Sequence, residues 1–181
     1  MESIERVVLG GGCFWCLDAV FLRVNGVQSA IPGYMGGKGP NPTYEAVCSG
    51  TTGHVEVVEV SFDKSVIDFI HVLQIFFSIH DPTTRDRQGA DVGSQYRSVI
   101  FTHTTEQLTA SKQYIKELDA ADTWRAPIVT EVKPLGIFYA AEDYHHQYYE
   151  ANRSQPYCQY VIDPKIEKLG HSWREFLKAT P

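Results

Sequence analysis

Residues 5–24 read ERVVLGGGCFWCLDAVFLRV, and they predict the secondary structure at the amino-terminal end of the chain. ERVVL is typical of a β-strand, and the three glycines after it predict a turn. Beyond the turn, apolar residues recur at positions 13, 16, 17, 20 and 21, which is the spacing of a helix. The sequence therefore predicts a strand, a glycine turn and a helix, with Cys13 near the helix start.

The rest of the chain alternates between strand and helix patterns. Valine-rich GHVEVVEVSFD predicts the clearest strand. SVIDFIHVLQIFFSIHD predicts a buried helix with Ser65 as a cap. DPKIEKLGHSWREFLKA predicts a last helix capped by Asp163, with Pro164 at the first helical position. Residues 81–95 form a long polar stretch, and loops of that length in compact domains are usually functional or disordered. This pattern indicates an α/β or α+β class in one domain.

Composition excludes several classes of function. The 181 residues are 43% hydrophobic and 21% charged, with a net charge of −6, so neither a nucleic-acid nor an anionic-membrane partner is expected. The opening MESIERVVLGGG lacks the pattern of a signal peptide, and no run approaches the roughly 20 apolar residues of a membrane span. We expect a cytoplasmic location, where the four cysteines stay reduced.

Two cysteines lie close together at the start of the first predicted helix. A thiol attacks only as thiolate, and a helix amino terminus lowers its pKa, so Cys13 is predicted to be a reactive nucleophile. Cys16 lies one turn further on the same face. Cys-x-x-Cys also occurs in zinc sites, but neither Cys48 nor Cys158 has a partner two residues away, so no metal site is expected. We expect Cys48 to be a buried small residue.

Glu56 is a carboxylate on an apolar strand face. Alternation in HVEVVEVSF puts Glu56 on the same side as Val58, Val60 and Phe62. Burial would raise its pKa and let it donate a proton near neutral pH. The pattern alone fits equally well an inward-pointing charge that protects an edge strand, or a solvated glutamate at a strand end.

Five motifs in order make the chain resemble the peptide methionine sulfoxide reductase A family. They are GGCFWC (11–16), GYMGG (33–37), NPTYEAVCSGTTGHVE (41–56), QGADVGSQYRS (88–98) and AEDYHHQYY (141–149). The resemblance implies a single α+β domain over 1–181, with a mixed β-sheet flanked by helices in a ferredoxin-like two-layer core and with long loops. Residues 152–181 would form a C-terminal segment with Cys158 and a terminal helix.

The resemblance also implies the activity and the site. The expected reaction is thiol-dependent reduction of methionine S-sulfoxide, free or in proteins, with thioredoxin as reductant, no cofactor and a monomeric enzyme that repairs oxidative damage. The residues that match the family's site are the nucleophile Cys13, the acid Glu56, the methyl-binding Phe14 and Trp15, the hydroxyls of Tyr44 and Tyr96, and Asp91.

The second thiol has two candidates. Cys158 lies in a Pro-flanked polar segment that could move toward the site. The family usually keeps its resolving cysteine in such a C-terminal segment, so we favour Cys158. Cys16 could form a short-loop disulfide instead, and a relay through three cysteines stays open.

Two other classes of function compete with the reductase. A general thiol–disulfide oxidoreductase would use Cys13 and Cys16 but would have no use for Glu56. A module that only binds methionine-containing peptides would leave Cys13 without a task.

Overall fold

The computed structural model describes residues 3–179, and its central feature is a six-stranded mixed β-sheet. The strands of the chain are β1 (Ile4–Gly10), β2 (Val27–Met35), β3 (Val55–Asp63), β4 (Arg87–Gln88), β5 (Asp91–Val92), β6 (Val99–Thr102), β7 (Glu131–Pro134) and β8 (Tyr139–Ala140). The sheet order is β7-β6-β1-β3-β2-β8, while β4 and β5 pair separately. β6 and β7 run parallel and the other neighbours in the sheet run antiparallel, so the predicted mixed sheet is confirmed.

Helices cover one face of this sheet. They are α1 (Phe14–Phe21), α2 (Tyr44–Cys48), α3 (Phe69–Ser78), α4 (Thr105–Ala120), α5 (Tyr148–Ala151) and α6 (Asp163–Ser172). Apolar side chains of α1, α3 and α4 join the same core as Val58 and Val60 of the sheet. The α+β class with a mixed sheet flanked by helices is therefore confirmed.

Strand β3 is buried on both faces, and this places Glu56. Val58, Val60 and Phe62 belong to the core under the helices, whereas Val55 and Val57 pack in a second cluster on the opposite face. Strands with two buried faces carry near-continuous valine, as this one does. Glu56 lies at the end of β3 nearest the start of α1, on the helix-covered side predicted by the alternation.

Two predicted helix caps are wrong. Helix α3 begins three residues later than expected, with Asp68 at its N-cap, because Ser65 closes a local turn with Asp63. Asp163 has helical backbone angles and accepts a hydrogen bond from the Tyr149 hydroxyl. It is therefore the first residue of α6 and not its cap, and Pro164 takes the second helical position and not the first. A π-helical turn, Cys158–Ile162, runs directly into α6 and replaces the predicted helix start.

The polar stretch 81–95 is ordered as a β-ribbon and a turn. Gln88 of β4 is buried, and its side-chain amide accepts a hydrogen bond from the backbone N–H of Asp81 and donates one to the backbone carbonyl of Asp81. A 3₁₀ turn, Ser94–Tyr96, then leads into β6. The β-ribbon and the turn after it therefore hold Asp91 and Tyr96, two of the predicted site residues, in fixed positions.

No helix among residues 3–179 is both long and apolar enough to cross a membrane.

Candidate active site

The glycine turn delivers Cys13 to the amino-terminal end of α1. Gly12 has φ of +91°, a conformation that favours glycine, and a side chain at Gly11 would meet the ring of His80 at 3.0 Å. Cys13 is the N-cap of α1, with an extended backbone, and is 7% exposed. Because its side chain makes no capping hydrogen bond, the thiol is free to face its neighbours.

The expectation that Cys13 has a lowered pKa is wrong. Burial raises the pKa of this thiol well above its ordinary value, and the hydrogen bond it donates to Cys16 and the nearby Glu56 raise it further. The backbone N–H of Trp15 at the helix start lowers the pKa, but less than burial raises it. In the reduced protein Cys13 therefore holds a proton at neutral pH.

Cys16 lies in contact with Cys13 and is 2% exposed. The hydrogen bond from Cys13 lowers the pKa of Cys16, and Lys165 lowers it as well. On its other side, the Cys16 sulfur lies 3.9 Å from the hydroxyl of Tyr157. The pair of thiols thus shares its protons unequally, with negative charge favoured on Cys16.

Glu56 lies beside the start of α1 as a buried carboxyl group. It is 1% exposed, and its Oε1 accepts a hydrogen bond of 3.2 Å from the backbone N–H of Phe14. Its Oε2 is buried and has no hydrogen-bond partner. Burial raises the pKa of Glu56 to about 8, although the Phe14 N–H opposes this shift. A protonated carboxyl next to a thiol can donate a proton during attack by the sulfur.

Aromatic rings surround the Cys13–Glu56 pair. Phe14 is fully buried and stacks on Tyr44 with centroids 6.3 Å apart. Trp15 is half-buried, lies 6.5 Å from Tyr44 and stacks on Tyr148 at 3.7 Å with nearly parallel rings. The indole N–H of Trp15 donates to Nδ1 of His145 at 2.9 Å. These contacts hold an apolar surface in a fixed orientation.

Two tyrosine hydroxyls lie close to the carboxyl and the thiol. Burial raises the pKa of Tyr44 and of Tyr96, and Glu56 and Cys13 raise both further, so both hydroxyls stay protonated and can donate hydrogen bonds. The backbone N–H of Tyr44 is fixed by Glu142, 3.0 Å away. The predicted group is therefore brought together on α1, α2, β3 and the loop before β6.

Asp91 contacts the second cysteine through a tyrosine. The hydroxyl of Tyr157 donates to Asp91 Oδ2 at 2.6 Å. Asp91, Tyr157, Cys13 and Cys16 line one groove of about 660 Å³, which also has Lys165 in its wall. Both thiols thus open on a groove large enough for a peptide segment.

The remaining two cysteines differ from expectation. Cys158 is fully buried at the first position of the π-helical turn, in the same core as α1, and not in an exposed mobile segment. It lies near enough to Cys16 for the charge of Cys16 to raise its pKa. Cys48, expected to be buried, is exposed at the end of α2.

Three residues of the site were missed from the sequence. Tyr157, His145 and Glu142 fix Asp91, Trp15 and Tyr44 respectively. His145 and Glu142 lie inside the motif AEDYHHQYY, to which no chemistry was assigned, and Tyr157 directly precedes Cys158. Those positions were the available signal, but only the fold shows which groups they contact.

Comparisons with known proteins agree with this site. A family model described as peptide methionine sulfoxide reductase matches residues 5–177. A relative from Saccharolobus solfataricus, named peptide methionine sulfoxide reductase MsrA, is 53% identical over 166 residues, covering 92% of this chain and 93% of its own.

Solved structures share the fold. The methionine sulfoxide reductase A of Corynebacterium diphtheriae has a TM-score of 0.76 and 37% identity, covering 84% of this chain and 77% of its own. Reduced Mxr1 of Saccharomyces cerevisiae has a TM-score of 0.79 and 32% identity, covering 86% and 90%. Mxr1 has also been solved in complex with Trx2, with a TM-score of 0.56, 23% identity and coverage of 81% and 85%.

Proposed function

This chain belongs to the peptide methionine sulfoxide reductase family, and we propose that its reaction uses Cys13 as the nucleophile and Glu56 as the acid. It is an oxidoreductase that reduces methionine sulfoxide to methionine with electrons from thiols. The observation that carries the proposal is a buried carboxyl, with a pKa of about 8, beside a thiol at a helix start. Disulfide exchange or peptide binding alone would not need this acid.

The substrate would be held by the aromatic surface and the hydroxyls. The half-buried Trp15 offers an apolar wall that accepts the methyl group of methionine sulfoxide, and the fully buried Phe14 supports the site by packing against Tyr44. The hydroxyls of Tyr44 and Tyr96 donate hydrogen bonds to the sulfoxide oxygen, and Asp91 supplies a polar contact at the edge. We propose the S epimer as substrate, because each epimer has its own enzyme and the family named by the relatives is the A type.

The oxygen then moves from substrate to enzyme. A sulfoxide oxygen is a poor leaving group unless it is protonated. Glu56 can supply that proton because its carboxyl group is mostly protonated at neutral pH. The Cys13 sulfur bonds to the sulfoxide sulfur, and the oxygen then passes to the Cys13 sulfur as this transient sulfur–sulfur bond and the original sulfur–oxygen bond break. The products are methionine and a sulfenic acid on Cys13, and the proton lost from the Cys13 thiol restores the one that Glu56 gives. Substrate sulfur is reduced by two electrons and Cys13 is oxidised by two.

A second thiol removes the sulfenic acid. Cys16 already contacts Cys13, so we propose that it condenses first, giving a Cys13–Cys16 disulfide and water. Cys158 lies near Cys16 but is fully buried, so it would join by disulfide exchange once the π-helical turn that carries it opens. This order replaces our preference for Cys158 as the first resolving thiol and favours the relay through three cysteines.

Thioredoxin is the proposed reductant that closes the cycle. Cys13 and Cys16 both line the groove of about 660 Å³, so an external dithiol would approach the first disulfide along this groove. The yeast relative Mxr1, solved in complex with Trx2, supports a partner of this class.

We further propose that 1–181 act as one catalytic domain and as a monomer. Cys158, Ile162 and Leu169 of the C-terminal segment 152–181 lie in the same core as α1, which supports a single unit. A cytoplasmic location is proposed because the cycle requires thiols that are kept reduced.

Separated epimers of a methionine sulfoxide peptide test the proposed function. Wild type and Cys13→Ser would be incubated with excess dithiol, and the methionine formed would be measured. The proposal requires turnover of the S epimer by wild type and none by the variant. Turnover by Cys13→Ser, or none by wild type, would refute it.

A further inference from the structure

Asp18 is a buried carboxyl group that the proposed reaction does not use. It lies in α1, one turn after Trp15, and is 1% exposed. Its Oδ2 accepts a hydrogen bond of 2.7 Å from the backbone N–H of Gln147, 129 residues further along the chain. Its Oδ1 is buried and has no hydrogen-bond partner within residues 3–179. Burial of a carboxyl group with an unpaired oxygen is unfavourable for the fold, which indicates a role other than packing.

Gln147 has a backbone conformation that needs support from its surroundings. Its φ is +52°, in the left-handed region that is unfavourable for a residue with a side chain. It is the N-cap of α5, but its side chain makes no capping hydrogen bond. Strained backbone of this kind persists where neighbouring groups hold it. The hydrogen bond to Asp18 therefore holds the turn before α5 against α1.

The residues on both sides of Gln147 contact Trp15. Tyr148 stacks on the indole at 3.7 Å with an angle of 7° between the rings, so it covers one face of the indole. His145 accepts a hydrogen bond from the indole N–H at 2.9 Å. Both contacts depend on where residues 145–148 lie relative to α1. Asp18 bonds to the backbone in the middle of this segment.

We infer that Asp18 is a positioning residue, which fixes the indole of Trp15 by holding Gln147. This inference rests on the proposed function, in which Trp15 forms the wall that accepts the substrate methyl group. Asp18 acts through residues 145–148 and needs no contact with the substrate. Without the hydrogen bond the wall would shift and admit a larger alkyl group.

The choice between a methyl and an ethyl group reports the position of this wall. The S epimers of methionine sulfoxide and ethionine sulfoxide, in otherwise identical peptides, would compete for the enzyme with excess dithiol present. One methylene in an apolar pocket changes kcat/KM by about 10- to 200-fold, so wild type should favour methionine sulfoxide by that ratio. Asp18→Ala should lower the ratio by about 10-fold, because a displaced wall no longer rejects the added methylene. A loss of folded enzyme lowers both rates equally and leaves the ratio unchanged.

Further variants separate the hydrogen bond from the other properties of Asp18. Asp18→Asn keeps an oxygen that can accept the N–H of Gln147 and should retain most of the wild-type ratio. If Asp18→Ala folds poorly, Asp18→Ala/Gln147→Gly replaces it, because glycine adopts φ of +52° without strain. This double variant also lacks the hydrogen bond, so its ratio should fall, whereas Gln147→Gly alone should keep the wild-type ratio.

Glu150→Gln is the matched control for the packing of α5. Glu150 forms an exposed ion pair with Arg23, directly after α1, and so provides a second link between the same two elements. Exposed ion pairs contribute little, and this one does not hold the turn at Gln147, so Glu150→Gln should keep the wild-type ratio.

The possible outcomes are distinct. A lowered ratio when Asp18 is alanine, with the ratio retained in Asp18→Asn and Glu150→Gln, supports the inference. A wild-type ratio in the alanine variants, or an equal fall in Asp18→Asn or Glu150→Gln, overturns it. A wild-type ratio near one overturns both the methyl-binding wall and this inference. No turnover of methionine sulfoxide by wild type overturns the proposed function itself.

Discussion

Replacing Glu56 by glutamine should remove activity and at the same time stabilise the fold at alkaline pH. Glutamine has the same shape, and its Oε1 can still accept the N–H of Phe14, but it has no acidic proton. With a pKa of about 8, roughly nine-tenths of Glu56 is protonated at pH 7. Loss of a positioned general acid lowers rates by about 10²- to 10⁴-fold, so kcat/KM for the sulfoxide should fall by that factor.

The stability effect follows from the shift in the pKa of Glu56 on folding. Burial raises the pKa from 4.5 to about 8, so the folded protein binds the proton more tightly than the unfolded chain. The stabilising contribution of Glu56 to the free energy of unfolding is therefore fully present below pH 4.5 and is lost as the pH rises to about 8. The loss is about 1.4 kcal/mol per pH unit and about 5 kcal/mol in all. Glutamine does not titrate, so the free energy of unfolding of Glu56→Gln should increase relative to that of wild type by this amount for each pH unit.

Urea unfolding of both proteins at pH 5, 6, 7 and 8 measures the difference, and sulfoxide turnover measures the rate. Glu56→Asp serves as a second variant, which keeps an acid but moves it away from the substrate oxygen. Parallel stability curves for wild type and Glu56→Gln would refute the raised pKa. Near-normal turnover by Glu56→Gln would refute the role of Glu56 as the acid.

Three further predictions concern His145 of the site and two positions outside it, Gly37 and Asp18. His145→Phe removes the acceptor for the Trp15 indole N–H and should raise KM more than it lowers kcat. His145→Gln, which has an amide oxygen as acceptor, should recover most of this loss. Equal effects of the two variants on KM and kcat would contradict the role of His145. Gly37→Ala places a Cβ 2.2 Å from the backbone nitrogen of His54, so urea unfolding should show a loss of about 1–3 kcal/mol, and wild-type stability would be inconsistent with that packing. Asp18→Asn removes a buried carboxyl with a pKa of about 6. Between pH 4 and 6 the free energy of unfolding of the variant should therefore increase relative to that of wild type by about 1.4 kcal/mol per pH unit. No increase would argue against the burial of that carboxyl.

Patterns that depend on periodicity could be predicted from the sequence. The alternation around Glu56 gave the correct face of β3, because successive strand residues point to opposite sides. The glycines and the helical spacing after them correctly predicted Cys13 at the helix start. Both features depend only on nearby residues, which is why the sequence was sufficient.

Features that depend on distant contacts could not be predicted. The pKa of Cys13 rises because the fold buries it beside Glu56 and Cys16, which outweighs the local effect of the helix start. Ser65 and Asp163 have the residue types of helix caps, but Asp63 and Tyr149 occupy their side chains instead.

Distant pairs within the site were equally hidden. Trp15 and His145 are 130 residues apart in the sequence, and Asp91 and Tyr157 are 66 apart, so no spacing rule links them. The burial of Cys158 also follows from packing against α1 rather than from its polar sequence neighbours.

Cys13 takes the oxygen from the sulfoxide in the proposed reaction, and chemical trapping of its sulfenic acid would detect this step. A Cys16→Ala/Cys158→Ala double variant lacks the proposed resolving thiols, so its sulfenic acid should persist. After one turnover with the S-sulfoxide peptide, a cyclic diketone that captures sulfenic acids would be added and each cysteine peptide weighed by mass spectrometry. We expect one adduct, on Cys13, in equal amount to the methionine formed. Methionine without an adduct on Cys13, or an adduct confined to Cys48, would contradict it.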